Sequence, residues 1–228
     1  GTRLCEDLFG PGEDKEAFYI FDYLGNFEFF RQSPKGKEAD EVESLAERCF
    51  KLKVRIIKEL QEMKYQTTEL IPFRNALIEE VVSQIKDLNR EQFQVKQKLS
   101  FVEKYDNQAA FICLGTIETE ELLSNIAHLV PAKTEDENAR RFDVLMYKLE
   151  LAFVVGDAGT QNSVINKIKH IASILEKKAT IPQVRAAAGI LERVQKTTSF
   201  WVKTLPDMDF IRIEMRELMQ YLTKEMKA

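Results

Sequence analysis

The sequence predicts a mainly α-helical protein, a multi-helix bundle of about eight helices preceded by a short aromatic β-hairpin. Beyond residue 40, apolar residues recur every three to four positions in successive segments, which is typical of amphipathic helices. Signals for helix starts and stops separate these segments. Residues 18–30 differ, because they are predicted to form two short strands around a turn and hold seven of the chain's aromatic residues.

The aromatic hairpin is not expected to be stable in isolation. A lone two-stranded hairpin is marginal in water, so we expect residues 18–30 to belong to a larger sheet or to pack on the helices. The chain opens with Gly1 and no Met, as a piece of a longer protein would. A polar segment with Pro34 and Gly36 follows and is predicted to be a linker. The predicted domains are residues 1–33 and 34–228.

Four helical regions are predicted between the linker and Pro131. The first has Asp40 as its N-cap and an apolar stripe of Val42, Leu45, Ala46, Cys49, Leu52, Ile56, Leu60 and Met63. A second begins near Pro72 and buries Leu77, Ile78, Val81, Ile85 and Leu88. Two short helices are expected within residues 91–113, and another over residues 120–129.

The next predicted helix is central. Thr134 and Glu137 have the spacing of a capping box, and Gly156 and Gly159 mark the other end. Its apolar residues surround it nearly completely, so we expect it to be the most buried helix, with Phe142 in the core. Three more helices are expected: one after Thr160, one starting at Pro182 and closed by Phe200-Trp201, and one starting near Asp207.

Composition narrows the protein class. The chain has 228 residues, 44% of them hydrophobic, and no run approaches the roughly 18 apolar residues that span a bilayer. This predicts no membrane association. Three well-separated cysteines argue against a disulfide framework and suit a reducing, cytoplasmic compartment. Each is predicted to be a small buried hydrophobic residue.

Charge is unevenly distributed. The formal net charge is −4, yet residues 160–203 contain eight basic and only two acidic residues. A basic segment in an acidic protein is a candidate surface for DNA phosphates or an acidic partner, and a merely solvated helix surface is the alternative. The candidate face comprises Lys167, Lys169, Lys177, Lys178, Arg185, Arg193 and Lys196.

Catalytic and cofactor motifs are scarce. Residues 10–15 contain glycines and a lysine without the spacing of a phosphate-binding loop. His128 and His170 are the only histidines, and both are predicted to be surface residues without metal-ligand spacing. The residues therefore favour a binding or scaffolding module, with no catalytic residue, metal site or cofactor of its own.

Three stretches carry a family resemblance. The first covers Gly1–Cys5 and Asp7–Gly12, the second Phe21–Phe30, and the third Arg140–Asp143, Ile181–Arg185, Phe200–Trp201 and Arg216–Leu218. In this order they resemble the C-terminal part of the R (restriction, motor) subunit of a type I restriction endonuclease. The first stretch is similar to the end of the last helicase motif. The second is similar to the strands that close the second RecA-like helicase lobe, to which residues 1–33 would then belong.

The resemblance implies a role within a larger machine. The parent subunit would use ATP and Mg²⁺ to translocate duplex DNA and would cleave it as an ATP-dependent type I deoxyribonuclease. It would work with a methyltransferase and a specificity subunit. Arg3 matches the last arginine of the helicase motif, which reaches the ATP phosphates in such motors. The helical domain, residues 34–228, would be non-catalytic and would dock the motor on its partners. The alternative from the residues alone is a stand-alone helical protein-interaction adaptor or regulator.

Overall fold

A computed structural model describes residues 43–131, 136–196 and 203–222 of the chain. The aromatic hairpin, Arg3 and the predicted boundary at residue 33 lie outside these residues. The described part contains ten α-helices and no strand. The helices are α1 (Leu45–Glu59), α2 (Leu70–Lys86), α3 (Phe93–Gln97), α4 (Leu99–Tyr105), α5 (Thr116–Glu121), α6 (Glu137–Val155), α7 (Ala158–Glu176), α8 (Pro182–Ala186), α9 (Ala188–Lys196) and α10 (Leu205–Arg216).

Helix α1 begins later than the sequence predicted. Its N-cap is Ser44, whose hydroxyl accepts from the backbone N–H of Glu47 at 3.0 Å. Ser44 and Glu47 have capping-box spacing, a signal that the choice of Asp40 overlooked. The helix ends at Glu59, so Met63 falls in a separate short turn and is 89% exposed. Placing Met63 on the buried stripe was therefore wrong.

Helix α6 is the central helix, as predicted. It packs on α1, α7 and α10 and on the final turn of the described chain, Met219–Tyr221. Phe142 is 2% exposed. The N-cap of α6 is Asp136, whose carboxylate accepts a hydrogen bond from the backbone N–H of Asn138. The predicted cap, Thr134, lies outside the described residues.

The remaining helices surround this centre. Helix α2 packs on α1, with all five predicted apolar residues buried. Helix α9 packs on α7, and α10 contacts α2 and α9. The helix predicted from Pro182 is divided at Ala187, whose ψ of 5° leaves the helical region, and this gives α8 and α9. Pro182 occupies the first turn of α8, where its missing N–H removes no hydrogen bond.

Short irregular helices complete the chain. Helix α5 continues into a wider π turn at Leu122–Ile126 and a tight 3₁₀ turn at Ala127–Leu129. The side-chain amide of Gln61 binds both backbone groups of Leu114, at 2.7 and 2.9 Å. Arg74 donates to the carbonyls of Ile57 and Phe111. These side chains satisfy backbone groups in the last turn of α1 and in the segment from the end of the Gln108–Phe111 turn to α5.

We expect Phe142→Ala to lower the free energy of unfolding by about 3–5 kcal/mol, because it leaves a cavity in the centre of the core. Chemical denaturation followed by circular dichroism measures this. Phe93→Ala is the matched control, because Phe93 is 73% exposed and its loss should change stability by about 0.5 kcal/mol. Equal effects of the two substitutions would contradict the central position of α6.

Substitution by alanine should have opposite effects on the stability of the protein at Gly156 and at Gly189. Gly156 ends α6 with φ of 75°, in the left-handed region, so Gly156→Ala should destabilise the protein by about 1–2 kcal/mol. Gly189 lies within α9 and a Cβ there would meet nothing within 4 Å, so Gly189→Ala should stabilise by up to about 1 kcal/mol. Thermal unfolding of both variants checks the signs, and a stabilising Gly156→Ala would contradict the assigned cap.

Candidate functional site

A cleft of about 680 Å³ lies between α1, α2, α6 and α10. Helix α1 contributes Cys49 and Lys53, and α6 contributes Asp143 and Tyr147. The other lining residues are mostly polar: Glu79, Glu80, Ser83, Gln84 and Asp87 from α2, Arg212, Ile213, Arg216 and Glu217 from α10 and its end, and Ala46, Val130, Pro131 and Arg140. We take this cleft as the candidate site because it is surrounded by charged groups from four helices.

A polar stripe runs along α6. Asp143, Tyr147 and Glu150 occur at intervals of four and three residues and so share one side of the helix. Asp143 and Tyr147 line the cleft, and Glu150 continues the stripe beyond the lining. All three are buried, and Glu150 is 0% exposed. Helix α6 is otherwise apolar on most sides, and its polar stripe lies on the side that packs against α1 and α10.

Asp143 joins α6 to α10. Its two carboxylate oxygens accept from Arg212 at 3.2 Å and from Arg216 at 2.8 Å. Arg212 also donates to Asp209 at 2.6 Å. The Asp143 and Arg212 side chains are each only 11% exposed. Burial opposes protonation of Arg212, but Tyr147, Asp209 and Asp143 outweigh this and raise its pKa. Arg212 is therefore a fixed cation held by acids from inside the fold, and Arg216 shares its counter-ion Asp143.

A second ion pair lies on the opposite wall. Lys53, on the buried side of α1, donates to Glu80 of α2 at 2.6 Å. The Lys53 nitrogen lies 5.4 Å from the centre of the Tyr147 ring, and the Arg212 guanidinium lies 4.9 Å from the same ring. Two cations thus use the π face of one buried ring. Burial raises the pKa of Tyr147 well above its ordinary value, so the ring stays neutral between them.

Glu150 is the most buried member of a polar cluster that comprises Lys53, Asp143, Tyr147, Glu150 and Arg212. Both of its carboxylate oxygens are buried, and neither accepts a hydrogen bond in the described structure. Burial, followed by the negative charge of Asp209, raises the pKa of Glu150 well above its ordinary value. The carboxyl group therefore holds its proton, because an ionised carboxylate without a partner is very costly inside a protein.

The cysteines differ in their surroundings. Cys49 is buried, as predicted, and burial together with Asp143 raises the pKa of its thiol to about 11. The thiol is protonated at neutral pH and is a weak nucleophile. Cys113 is exposed, which corrects the prediction that it is buried, because it lies in the connection between the Gln108–Phe111 turn and α5. Cys5 lies outside the described residues.

The site is better suited to binding than to bond making. Its inner cations are all paired, Lys53 with Glu80 and both Arg212 and Arg216 with Asp143, and the Cys49 thiol is protonated and weakly nucleophilic. The described residues contain no group of three or more His, Cys, Asp or Glu side chains that could hold a metal ion. His128 and His170 are both exposed, as the sequence predicted. Of the described helices, none combines the length and the apolar character that a bilayer span requires.

The structure places the predicted basic residues apart from the cleft. Lys167 and Lys169 lie on opposite flanks of α7, with the buried Ile168 between them. The Lys178 amine is half-buried and donates to the carbonyl of Tyr221 at 2.5 Å. Lys196 pairs with Glu192 one turn earlier in α9. The remaining candidates are exposed and stay a prediction: Lys177, Arg185 and Arg193.

Sequence reasoning missed the polar cluster. Lys53 and Glu150 lie at positions where the helical period of α1 and α6 requires apolar residues, and this conflict was the available signal. The sequence places Arg140 and Arg141 beside the acids that begin α6, which predicts that at least one of them pairs with a neighbouring acid. Arg141 pairs with Glu137, at 2.7 Å, which confirms this prediction. No local sequence pattern indicates that Asp143 pairs with Arg212 and Arg216 of α10.

Comparisons with protein-family models, with curated proteins and with solved structures find no match for this chain.

We expect Asp143→Ala to destabilise the protein by about 3–5 kcal/mol, because two largely buried guanidinium groups lose their shared counter-ion. The matched control is Glu137→Ala on the same helix. It breaks the exposed pair with Arg141 and should cost about 1 kcal/mol or less. Urea unfolding of both variants provides the measurement. A loss at Asp143 no larger than that at Glu137 would show that the buried pair contributes little.

Glu150 should make stability depend on pH. Because its pKa is raised in the folded state, the folded protein holds this proton after the unfolded chain has released it. The stabilisation is complete below the ordinary value of 4.5 and is lost as pH rises towards the folded pKa. Over that interval the stability falls by about 1.4 kcal/mol per pH unit.

Glu150→Gln removes this proton while keeping the shape of the side chain. We expect the variant to gain stability over wild type as pH rises above 4.5, and to show no gain below it. Urea unfolding at a series of pH values measures the difference. The exposed substitution Glu103→Gln is the control and should run parallel to wild type. A constant difference between Glu150→Gln and wild type at all pH values would contradict a buried, protonated carboxyl.

Proposed function

We propose that this chain is a C-terminal part of the motor subunit of a type I restriction enzyme. In this proposal its helical domain docks the motor on the methyltransferase and specificity subunits. The observation that carries the proposal is the Asp143–Arg216 ion pair. Asp143 ends the Arg140–Asp143 stretch and Arg216 begins the Arg216–Leu218 stretch, and both stretches carry the family resemblance. A contact between the two supports reading them as parts of one domain framework.

Three other residues of these stretches are buried. Phe142 and Leu218 are buried in the core. Pro182 starts α8 and Val184 is 1% exposed beneath it. Phe200 and Trp201 lie outside the described residues. A docking domain presents a rigid surface and performs no chemistry of its own. We therefore expect the residues that characterise such a domain to stabilise its fold, as these buried residues do.

The proposal assigns the chemistry to the rest of the motor subunit. ATP hydrolysis with Mg²⁺, translocation of duplex DNA and DNA cleavage would belong to the parent protein in the cytoplasm. Arg3 would contact the ATP phosphates there, and the exposed basic residues of α7 to α9 would face DNA or an acidic partner. The helical domain would contribute by fixing the motor to the complex that recognises the DNA sequence.

The test is binding to the methyltransferase–specificity complex of the same restriction system. We expect the 228-residue chain to co-elute with that complex in size-exclusion chromatography and to bind it saturably in biolayer interferometry. An unrelated helical protein of similar size and net charge is the control. If the folded chain shows no binding at concentrations of tens of micromolar, the docking role is contradicted.

A stand-alone adaptor or regulator is the second candidate. The observation in its favour is the pair of apolar residues that α10 leaves on the surface, Phe210 and Ile213, which are 50% and 52% exposed. Exposed apolar residues beside polar ones are typical of protein-binding surfaces. The open reading frame decides between the two: a phosphate-binding loop encoded upstream of Gly1 supports the motor subunit, and its absence supports the adaptor.

A further inference from the structure

The cleft carries two kinds of charge. Its inner cations are already occupied, because Lys53 pairs with Glu80 and Arg212 and Arg216 pair with Asp143. An incoming anion would have to displace these acids and would leave buried carboxylates without counter-ions, which is strongly unfavourable. The interior of the cleft therefore offers no free positive charge from these three residues.

The negative charges on the α2 wall differ from the inner cations. Within the described chain, Asp87 makes no ion pair, and the carboxylate of Glu79 contacts only the amide of Gln108, at 3.4 Å. Both carboxylates are exposed along the side of α2 that lines the cleft. They form the part of the lining that can still gain from an opposite charge.

Asp87 lies at an electrostatically unfavourable place. It is the C-cap of α2, where the helix dipole is negative and a basic residue is normally favoured. An acid here raises the free energy of the isolated domain. A local conflict of this kind is typical of residues that serve binding.

Gln84 lies between the two acids on the same wall. Its side-chain oxygen is buried and accepts no hydrogen bond. Such an acceptor lacks the stabilisation of a hydrogen bond until a donor reaches it. On the other wall, Ile213 is 52% exposed and continues into the exposed Phe210. The cleft therefore combines an acidic wall, an unused acceptor and an apolar edge.

We propose that this cleft receives an arginine or lysine side chain from a basic segment of a partner protein. The cationic head would pair with Asp87 and donate to the Gln84 oxygen, because these two residues are three positions apart and so are neighbours on the helix. Glu79 lies about 12 Å further along α2 and would attract a second basic residue of the same segment. The aliphatic stem would pack along Ile213, as the stems of long basic side chains do. The proposal refines the docking role and rests on it only for the identity of the partner, which would be the methyltransferase–specificity complex.

The first arm of the test uses probes that do not depend on the partner. Fluorescein-labelled nona-arginine and nona-aspartate peptides are titrated with the full chain and followed by fluorescence anisotropy. We expect nona-arginine to bind, and to bind more weakly as salt screens the charges. The double variant Glu79→Lys/Asp87→Lys should weaken this binding at least tenfold. Both positions are exposed, and a lysine at the end of α2 suits the helix dipole, so the variant should fold.

The matched control changes the net charge by the same amount elsewhere. Glu103→Lys/Glu120→Lys replaces two exposed acids that do not line the cleft, and it should change binding by less than about twofold, as expected for distant screened charges. Equal weakening by the two double variants would overturn the proposal, because the attraction would then reflect overall charge. Tighter binding of nona-aspartate than of nona-arginine would also overturn it, in favour of an anionic occupant.

The second arm repeats the comparison with the methyltransferase–specificity complex. Loss of binding by Glu79→Lys/Asp87→Lys, with binding retained by Glu103→Lys/Glu120→Lys, supports the cleft as the docking surface. If the wild-type chain does not bind the complex while the nona-arginine result holds, the proposed function fails and the cleft proposal stands. If the complex binds both double variants as it binds wild type, docking uses another surface, and the methyltransferase–specificity complex is overturned as the source of the basic side chain.

Discussion

The arrangement of the central helix depends on one carboxylate, that of Asp143, which two arginines share. Burying a charged group is expensive, and a single counter-ion often fails to offset the loss of hydration. Two guanidinium groups satisfy both oxygens of Asp143 at once and fix the position of α10 along α6. With α10 fixed there, Arg212 lies over Tyr147 and the apolar side of α10 packs in the core. A shift of α10 along α6 by one helical turn, about 5.4 Å, would break both hydrogen bonds to Asp143.

The fold was largely predictable because helical periodicity is a local property. The all-round apolar pattern of residues 142–155 and Gly156 were sufficient to identify α6 as the central helix. The ends of helices were harder. Asp40 and Ser44 are both competent caps, and only packing against the rest of the fold decides where α1 starts. Met63 continues the periodic pattern in the sequence, but the chain leaves the helix before reaching it.

The site was far less predictable, because its groups come from distant parts of the chain. Asp143 and Arg216 are 73 residues apart, and no periodicity pairs residues at that distance. Local conflicts were the only available signals. Lys53 and Glu150 interrupt the apolar sides of their helices, and Asp87 places a negative charge at a helix C-terminus. At each of these positions the residue disagrees with the preference of its own helix, which indicates a role that depends on distant parts of the chain or on a partner. The partners of these residues still had to come from the three-dimensional structure.

The long separation between α1 and α6 also affects how the chain folds during synthesis. Helix α1 buries Phe50, Val54 and Ile57, and its most extensive contacts are with α6. The two helices lie about ninety residues apart, so at the usual rate of ~5–20 residues per second α1 waits on the order of 5–20 seconds for α6. Of the elements that the structure describes, those already synthesised by then are α2, the short helices α3 to α5 and the turns at Leu122–Ile126 and Ala127–Leu129, and several of these pack on α1. A ribosome-bound chaperone would find its binding surface on this helix, in the interval before α6 leaves the exit tunnel.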